Sequence, residues 1–255
     1  AVAFEDVSLT YKGAGGESLT GLRFSVPKGS TVGVIGGTGS GKTSLVNLIP
    51  RFYDATKGRV LVDGRDVRDY SLEELRRKVG VVPQKAVLFS GTIRENLLWG
   101  NEQASDKELY EALDTAQARE VVANREEGLD AAVEQGGKNF SGGQKQRLTI
   151  ARALVGNPEI LILDDSASAL DFATDARLRK ALRNLRRKTT VFIVSQRTSS
   201  IQHADQIIVL DDGKPAGIGT HQELLESCPE YQEIYYSQFD AGSAKKNAGK
   251  EAANA

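Results

Sequence analysis

Residues 36–43 read Gly-Gly-Thr-Gly-Ser-Gly-Lys-Thr, directly after the apolar run Thr31-Val32-Gly33-Val34-Ile35. A buried strand feeding a glycine-rich loop, then a helix opened by Lys42 and Thr43, confines the fold to a narrow class. Glycines let backbone N–H groups converge on phosphate oxygens without Cβ obstruction, and Lys42 reaches the terminal phosphates. Thr43 offers its hydroxyl to Mg2+, and the helix start adds its positive dipole end. A flexible Gly/Ser turn does not explain a Lys-Thr pair at this offset behind a strand. A dinucleotide-binding turn wants Gly-x-Gly-x-x-Gly and has no use for the lysine. The expected nucleoside-triphosphate residues are therefore Gly36, Gly37, Thr38, Gly39, Ser40, Gly41, Lys42, Thr43 and Ser44.

With 255 residues the chain can bury a substantial core, as one large α/β domain or a main domain plus a subdomain. A net charge of −1 leaves no electrostatic footprint for nucleic acid. The basic cluster Arg183, Arg186, Arg187 and Lys188 ends a predicted helix and reads as a solvated face and dipole complement. Cys228 is the one cysteine, which excludes an intramolecular disulfide framework and suits a reducing compartment. No apolar run approaches the roughly 18 residues of a membrane span, and no signal segment is visible. Methionine is absent, even at the start, so the chain is expected to be a processed or excised piece.

Three regions follow from the hydropathy pattern. Residues 4–64 are strand-rich, with expected strands over 4–11, 21–26, 31–35 and 59–62 and a helix over 42–48. Residues 71–79 read as a helix running into the apolar stretch 79–83. Helices dominate from about 91 to 154, where Ser105-Asp106-Lys107-Glu108 forms a capping box ahead of Leu109, Leu113 and Ala116. From Glu159 the chain alternates again: strand 160–164, helix 173–185, strand 190–195 and strand 206–210, closing with two short helices. Residues 240–255 are Ala/Gly/Asn/Lys-rich without apolar periodicity and are expected to be disordered. Buried strands alternating with helices argue a parallel-sheet core, and the helical middle argues an inserted subdomain.

Two further elements carry chemistry. Ile160-Leu161-Ile162-Leu163-Asp164-Asp165 is an apolar strand ending in carboxylates. Such a strand often means only a strand meeting a turn; behind a complete phosphate loop, Asp164 suits the second Mg2+ anchor. Asn139-Phe140-Ser141-Gly142-Gly143-Gln144 precedes a helical run over 145–155. Ser141 at the N-cap and two glycines expose backbone N–H groups at a helix start. A loop that merely caps a helix is the plainer reading. A second anion site asks for another nucleotide or another chain.

Phosphate loop, Ser-Gly-Gly-Gln signature, apolar strand with Asp164, and Ser168-Ala169-Leu170-Asp171, in this order, resemble the nucleotide-binding domain of ABC transporters. The resemblance covers residues 1–239. It implies an α/β fold: a P-loop NTPase parallel-sheet core, an antiparallel β subdomain and an inserted helical subdomain at about 91–154. It also implies ATP and Mg2+ as ligands. Tyr11 matches the aromatic that stacks on adenine, Gln84 the Q-loop glutamine that touches Mg2+, and Asp171 the D-loop aspartate at the dimer interface. Family domains pair head to tail, so Ser141, Gly142, Gly143 and Gln144 would face the ATP of a partner domain. The stretch Leu88-Phe89-Ser90-Gly91-Thr92-Ile93-Arg94-Glu95-Asn96 looks exporter-type, implying a transmembrane domain on the same full-length chain and a place at the cytoplasmic face of the cell membrane.

Two departures stand out. After Asp164 the family normally carries Glu, the base that activates water; here it is Asp165. The strand ending Val194-Ser195 normally leads to a switch His; here it leads to Gln196, and the only histidines, His203 and His221, lie further on. His221 reads as a surface residue. Asp is one methylene shorter than Glu, and Gln cannot take up a proton. With every binding motif intact, the combination resembles the degenerate-site half of heterodimeric multidrug ABC exporters, paired with a non-identical ABC domain. A homodimer hydrolysing slowly at two sites is the alternative. A soluble ABC ATPase on nucleic acid or the ribosome would carry tandem domains or coiled-coil insertions, absent here. An inert nucleotide-dependent scaffold would follow if no partner supplied a competent site.

Overall fold

The computed structural model describes residues 1–166, 168–185 and 189–238. Its strands, in chain order, are β1 (Val2–Leu9), β2 (Leu19–Val26), β3 (Thr31–Gly36), β4 (Lys57–Val62), β5 (Arg65–Asp66), β6 (Val79–Val82), β7 (Gly91–Thr92), β8 (Ala132–Val133), β9 (Ile160–Asp164), β10 (Thr190–Val194), β11 (Gln206–Asp211) and β12 (Lys214–Gly219). The helices are α1 (Lys42–Asn47), α2 (Leu72–Lys78), α3 (Ile93–Leu98), α4 (Asp106–Thr115), α5 (Arg119–Ala123), α6 (Gly142–Val155), α7 (Phe172–Asn184), α8 (Thr198–Ile201) and α9 (His221–Ser227). A last helix occupies residues 229–238.

The main sheet has the order β12-β11-β3-β10-β9-β6, and only the β11–β12 pairing is antiparallel. Its central strands are buried on both faces, which is why they read as unbroken apolar runs. Ile160, Ile162, Phe192 and Val194 turn to one core, shared with the antiparallel sheet β2-β1-β4-β5. Leu161, Leu163, Val191 and Ile193 turn to the other, shared with the helical region. There α6 packs against α3 and α4.

Register places the site. Val194 pairs with Val34 on one side and Asp164 on the other. The chain therefore leaves β3, β10 and β9 at one level, carrying residues 36, 195–196 and 165 to a common edge. Ligands of such sheets bind outside the carboxyl ends of the strands.

The capping box expected at Ser105 and Glu108 is present, and Thr92–Glu95, Ser141–Gln144 and Thr220–Glu223 repeat it. Strand β1 stops at Leu9, so Tyr11 lies beyond it, where the Ala14 N–H closes a turn on the Tyr11 carbonyl at 2.9 Å. β12 was not among the expected strands; it carries Pro215, Gly217 and Gly219, which an edge strand tolerates. His221 is half-buried, with Nδ1 2.8 Å from the Tyr231 hydroxyl, rather than a surface residue. The tail over 240–255 and Arg186, Arg187 and Lys188 lie outside the described residues.

Candidate nucleotide site

The phosphate loop links β3 to α1. A Cβ on Gly36 would stand 2.2 Å from the Leu210 carbonyl oxygen and 2.5 Å from Ser40 Oγ, so only glycine fits where β3 gives way to the loop. Gly41 caps α1 in the left-handed region at φ 95°, with Leu19 Cδ2 2.7 Å from where a Cβ would sit. Lys42 folds back over the loop: its Nζ donates to the carbonyls of Gly36 at 2.9 Å and Gly37 at 2.6 Å. Burial of the ammonium pushes its pKa below the ordinary lysine value, against the pull of Asp165 and Asp164. A cation poised over its own loop's carbonyls can exchange those partners for phosphate oxygens.

Asp164 closes β9 with little exposure and accepts from the Thr43 hydroxyl at 3.1 Å. Burial raises its pKa above the ordinary carboxylate range, with the Asp165 charge adding to the rise and the Thr43 hydroxyl and Lys42 opposing it. Asp165 follows in the left-handed region at φ 45°, its N–H donating to the Val194 carbonyl at 2.9 Å. Its Oδ2 accepts from Gln84 Nε2 at 3.1 Å. One cleft is lined by Thr38, Gly39, Lys42, Thr43, Gln84, Asp164, Asp165, Ser195 and Gln196. The residues expected to handle the terminal phosphate thus converge from three strand exits.

A second cleft shares Gly39, Lys42 and Thr43 with the first and extends to Tyr11, Ser44, Glu17, Ser18, Asp212 and Gly213. Tyr11 donates its hydroxyl to Ser44 Oγ at 2.8 Å and meets the Tyr53 ring edge-on, with centroids 4.9 Å apart. Tyr53, Glu17 and Ser18 carried no recognisable signal. Asp212-Gly213 did, since Asp-Gly between apolar runs marks a hairpin turn.

The donors suit a hard cation. Thr43 and Asp164 present oxygens, and Mg2+ sites use one or two carboxylates plus substrate phosphates rather than an all-protein cage. Among the described residues no cluster of three or more His, Cys, Asp or Glu able to hold a metal occurs.

The signature stands apart from both clefts. Ser141 Oγ accepts from the Gln144 N–H at 3.2 Å, while Gln144 Oε1 accepts from the Ser141 N–H at 3.0 Å. Gly142 is open, and a Cβ on Gly143 would lie 3.3 Å from the Ala169 carbonyl. Asp171 caps α7, accepting from the Thr174 N–H at 2.9 Å and its hydroxyl at 2.8 Å; these bonds hold its carboxyl below the ordinary range. Phe140, at the signature's first position, is buried beneath the Arg125 guanidinium, 4.0 Å from the ring centroid.

The ABC transporter family model matches residues 19–168. The chain belongs to the ABC transporter family. It has the P-loop NTPase fold of ABC ATPases, domains that bind ATP. It is 46% identical over 240 residues to an uncharacterized ABC transporter ATP-binding protein of Mycobacterium bovis, a match covering 93% of this chain and 41% of that protein. It is 41% identical over 237 residues to a Staphylococcus aureus protein named "Putative multidrug export ATP-binding/permease protein", with the same coverage. Among solved structures, a bacterial Atm1-family ABC exporter with ATP bound superposes at a TM-score of 0.89 and 38% identity, covering 93% of this chain and 42% of that one. The chain spans about two fifths of the length of the curated relatives it matches.

Proposed function

We propose that this chain is the ATP-binding domain of a heterodimeric ABC exporter. In this reading its own cleft binds Mg-ATP and turns it over slowly, while its signature completes the competent cleft of a non-identical partner. The observation that carries the reading is Asp165 and Gln196 lining one cleft with an intact Lys42, Thr43 and Asp164. Lys42 and the loop N–H groups bind the phosphates; Tyr11 packs on the base; Thr43, Asp164 and Gln84 hold the cation. Mg2+, when bound, supplies positive charge that neutralises phosphate oxygens. Asp165 is the acceptor for the water's proton, and Gln84 fixes its carboxylate in place. Gln196 can hydrogen-bond a phosphate oxygen but cannot carry a proton.

The solved relative is an exporter, and the staphylococcal relative combines ATP-binding and permease parts under a multidrug export name. These support a transmembrane domain on the same full-length chain, with this domain at the cytoplasmic face. Ser141–Gln144 lines neither of the clefts that the chain's own phosphate loop lines, and Asp171 stands exposed close to the signature, whose Gly143 faces the Ala169 carbonyl. That separation supports pairing across a dimer, with signature and phosphate loop supplied by different chains.

Assembly tests the reading. Sedimentation is expected to give a monomer without nucleotide at micromolar concentration, and ATP-dependent pairing with a non-identical ABC domain. A tight ATP-dependent homodimer with full turnover would instead establish the symmetric enzyme.

The buried carboxyl gives a pH signature. A cation ligand must be deprotonated, and Asp164 holds its proton to a higher pH than an ordinary carboxyl. The Mg2+-dependent part of ATP affinity is therefore expected to fall on acidification, beginning above the ordinary carboxylate range. Calorimetry at stepped pH, with and without Mg2+, measures it. An increment that stays flat down to the ordinary range would remove Asp164 from the cation site.

A further inference from the structure

Gln196 lines the nucleotide cleft, yet its backbone is held from the far end of the chain. Gln238 Nε2 donates to the Gln196 carbonyl at 2.7 Å. The same amide's Oε1 accepts from the Thr198 N–H at 2.9 Å and from the Thr198 hydroxyl at 3.0 Å. Between them, the Arg197 N–H donates to Ser195 Oγ at 3.0 Å. A carboxamide can donate from one side and accept on the other; here one such group bridges both ends of the turn that leaves β10.

The helix bearing Gln238 does not depend on these bonds for its own place. Tyr231 is fully buried and its hydroxyl meets His221, Gln232 Nε2 donates to the Leu225 carbonyl at 2.7 Å, and Ile234 packs on the core. Gln238 lies about two turns beyond Tyr231, so its amide can be changed without undocking the helix.

We infer that Gln238 is a positioning residue that sets where residue 196 stands in the cleft. The inference rests on the proposed role of residue 196 toward phosphate. Gln196 is exposed and leaves the sheet at the end of a strand. Its carbonyl is fixed by Gln238, and a misplacement of about 1 Å at a reacting centre can cost about 10²-fold in rate. Gln238 thereby links the helix over 229–238 to the nucleotide cleft.

The test uses the intact protein, paired with a partner whose own hydrolytic carboxylate has been removed. It combines hydrogen exchange with single-site ATP hydrolysis for Gln238→Ala and Gln238→Glu. Losing these hydrogen bonds should accelerate exchange over residues 196–198 by at least about tenfold in Gln238→Ala. Gln238→Glu keeps the acceptor for Thr198 but sets a carboxylate against the Gln196 carbonyl, so Thr198 should stay protected. Turnover should fall at least about threefold in both, with KM for ATP unchanged, as expected when only positioning is lost. In a Gln196→Ala background, Gln238→Ala should cause no further fall. Unchanged exchange over 196–198, or an equal fall with and without the Gln196 side chain, would overturn the inference. A fall in Gln196→Ala with none in Gln238→Ala would overturn the inference alone. If Gln196→Ala itself left turnover unchanged, the role of residue 196 would fail and the positioning role with it.

Discussion

The Asp165→Glu/Gln196→His double variant is expected to hydrolyse ATP about 10²-fold faster than the wild-type chain, and up to about 10⁴-fold, the span typical of a well-placed general base. Asp165 is not free to compensate for its short side chain. Its backbone is fixed in the left-handed region by the Val194 carbonyl, and its carboxylate is tied to Gln84. One added methylene carries the carboxylate forward by about 1 Å, a displacement that can be worth about 10²-fold by itself. Position 196 is exposed in the same cleft, so an imidazole meets no packing barrier there and supplies the protonatable contact that the carboxamide lacks. Neither single change should give the full gain, because groups acting on one transition state are not additive. The structure adds a cost: Asp tolerates left-handed φ better than most residues. Asp165→Glu should therefore lower stability by about 1 kcal/mol while raising activity, and thermal melting reads that separately. The measurement is ATP turnover with a partner whose own hydrolytic carboxylate has been removed. A double variant as slow as wild type, with nucleotide bound and the dimer formed, would mean that these two residues do not limit the site.

How much of this was legible in the sequence divides along range. β9 was readable to the residue, because a strand covered on both faces must be apolar throughout, and Ile160–Leu163 is. The phosphate loop was readable because its glycines answer local demands: at Gly36 a Cβ would strike the Leu210 carbonyl. Asp212-Gly213 marks the turn before β12, but Pro215, Gly217 and Gly219 blur the strand itself, and only its edge position, which composition does not show, admits them. The left-handed backbone at Asp165 was hidden too, since it is set by a carbonyl on another strand. So was the tie between Gln84 and Asp165, two residues expected to serve different parts of the site. The sequence predicted which residue types would meet in the cleft; how each is held depends on contacts from distant segments, Gln238 above all.

Removing the loop ammonium should have the largest effect on binding. Lys42→Ala is expected to weaken Mg-ATP affinity by about 10²-fold, since hydrogen bonds to charged groups contribute about 1.5–3 kcal/mol and this cation makes more than one. The apo protein should barely notice. Burial disfavours the charged form of Lys42, as the lowered pKa records. A base whose folded pKa lies below its unfolded value weakens the fold while it is protonated, a penalty complete below the folded value and lost as pH rises from the folded to the unfolded value. At neutral pH the alanine therefore removes both an unfavourable buried charge and its bonds to the Gly36 and Gly37 carbonyls, two opposing changes. Nucleotide-induced stabilisation separates binding from folding. With ATP at about a hundred times the wild-type Kd, wild type gains about 2.7 kcal/mol, and a hundredfold weaker variant gains only about 0.4 kcal/mol. Thermal melting with and without Mg-ATP should show similar apo transitions and a ligand shift that all but vanishes in Lys42→Ala. An undiminished shift would remove Lys42 from phosphate binding, whereas a wild-type domain with no shift at all would remove ATP.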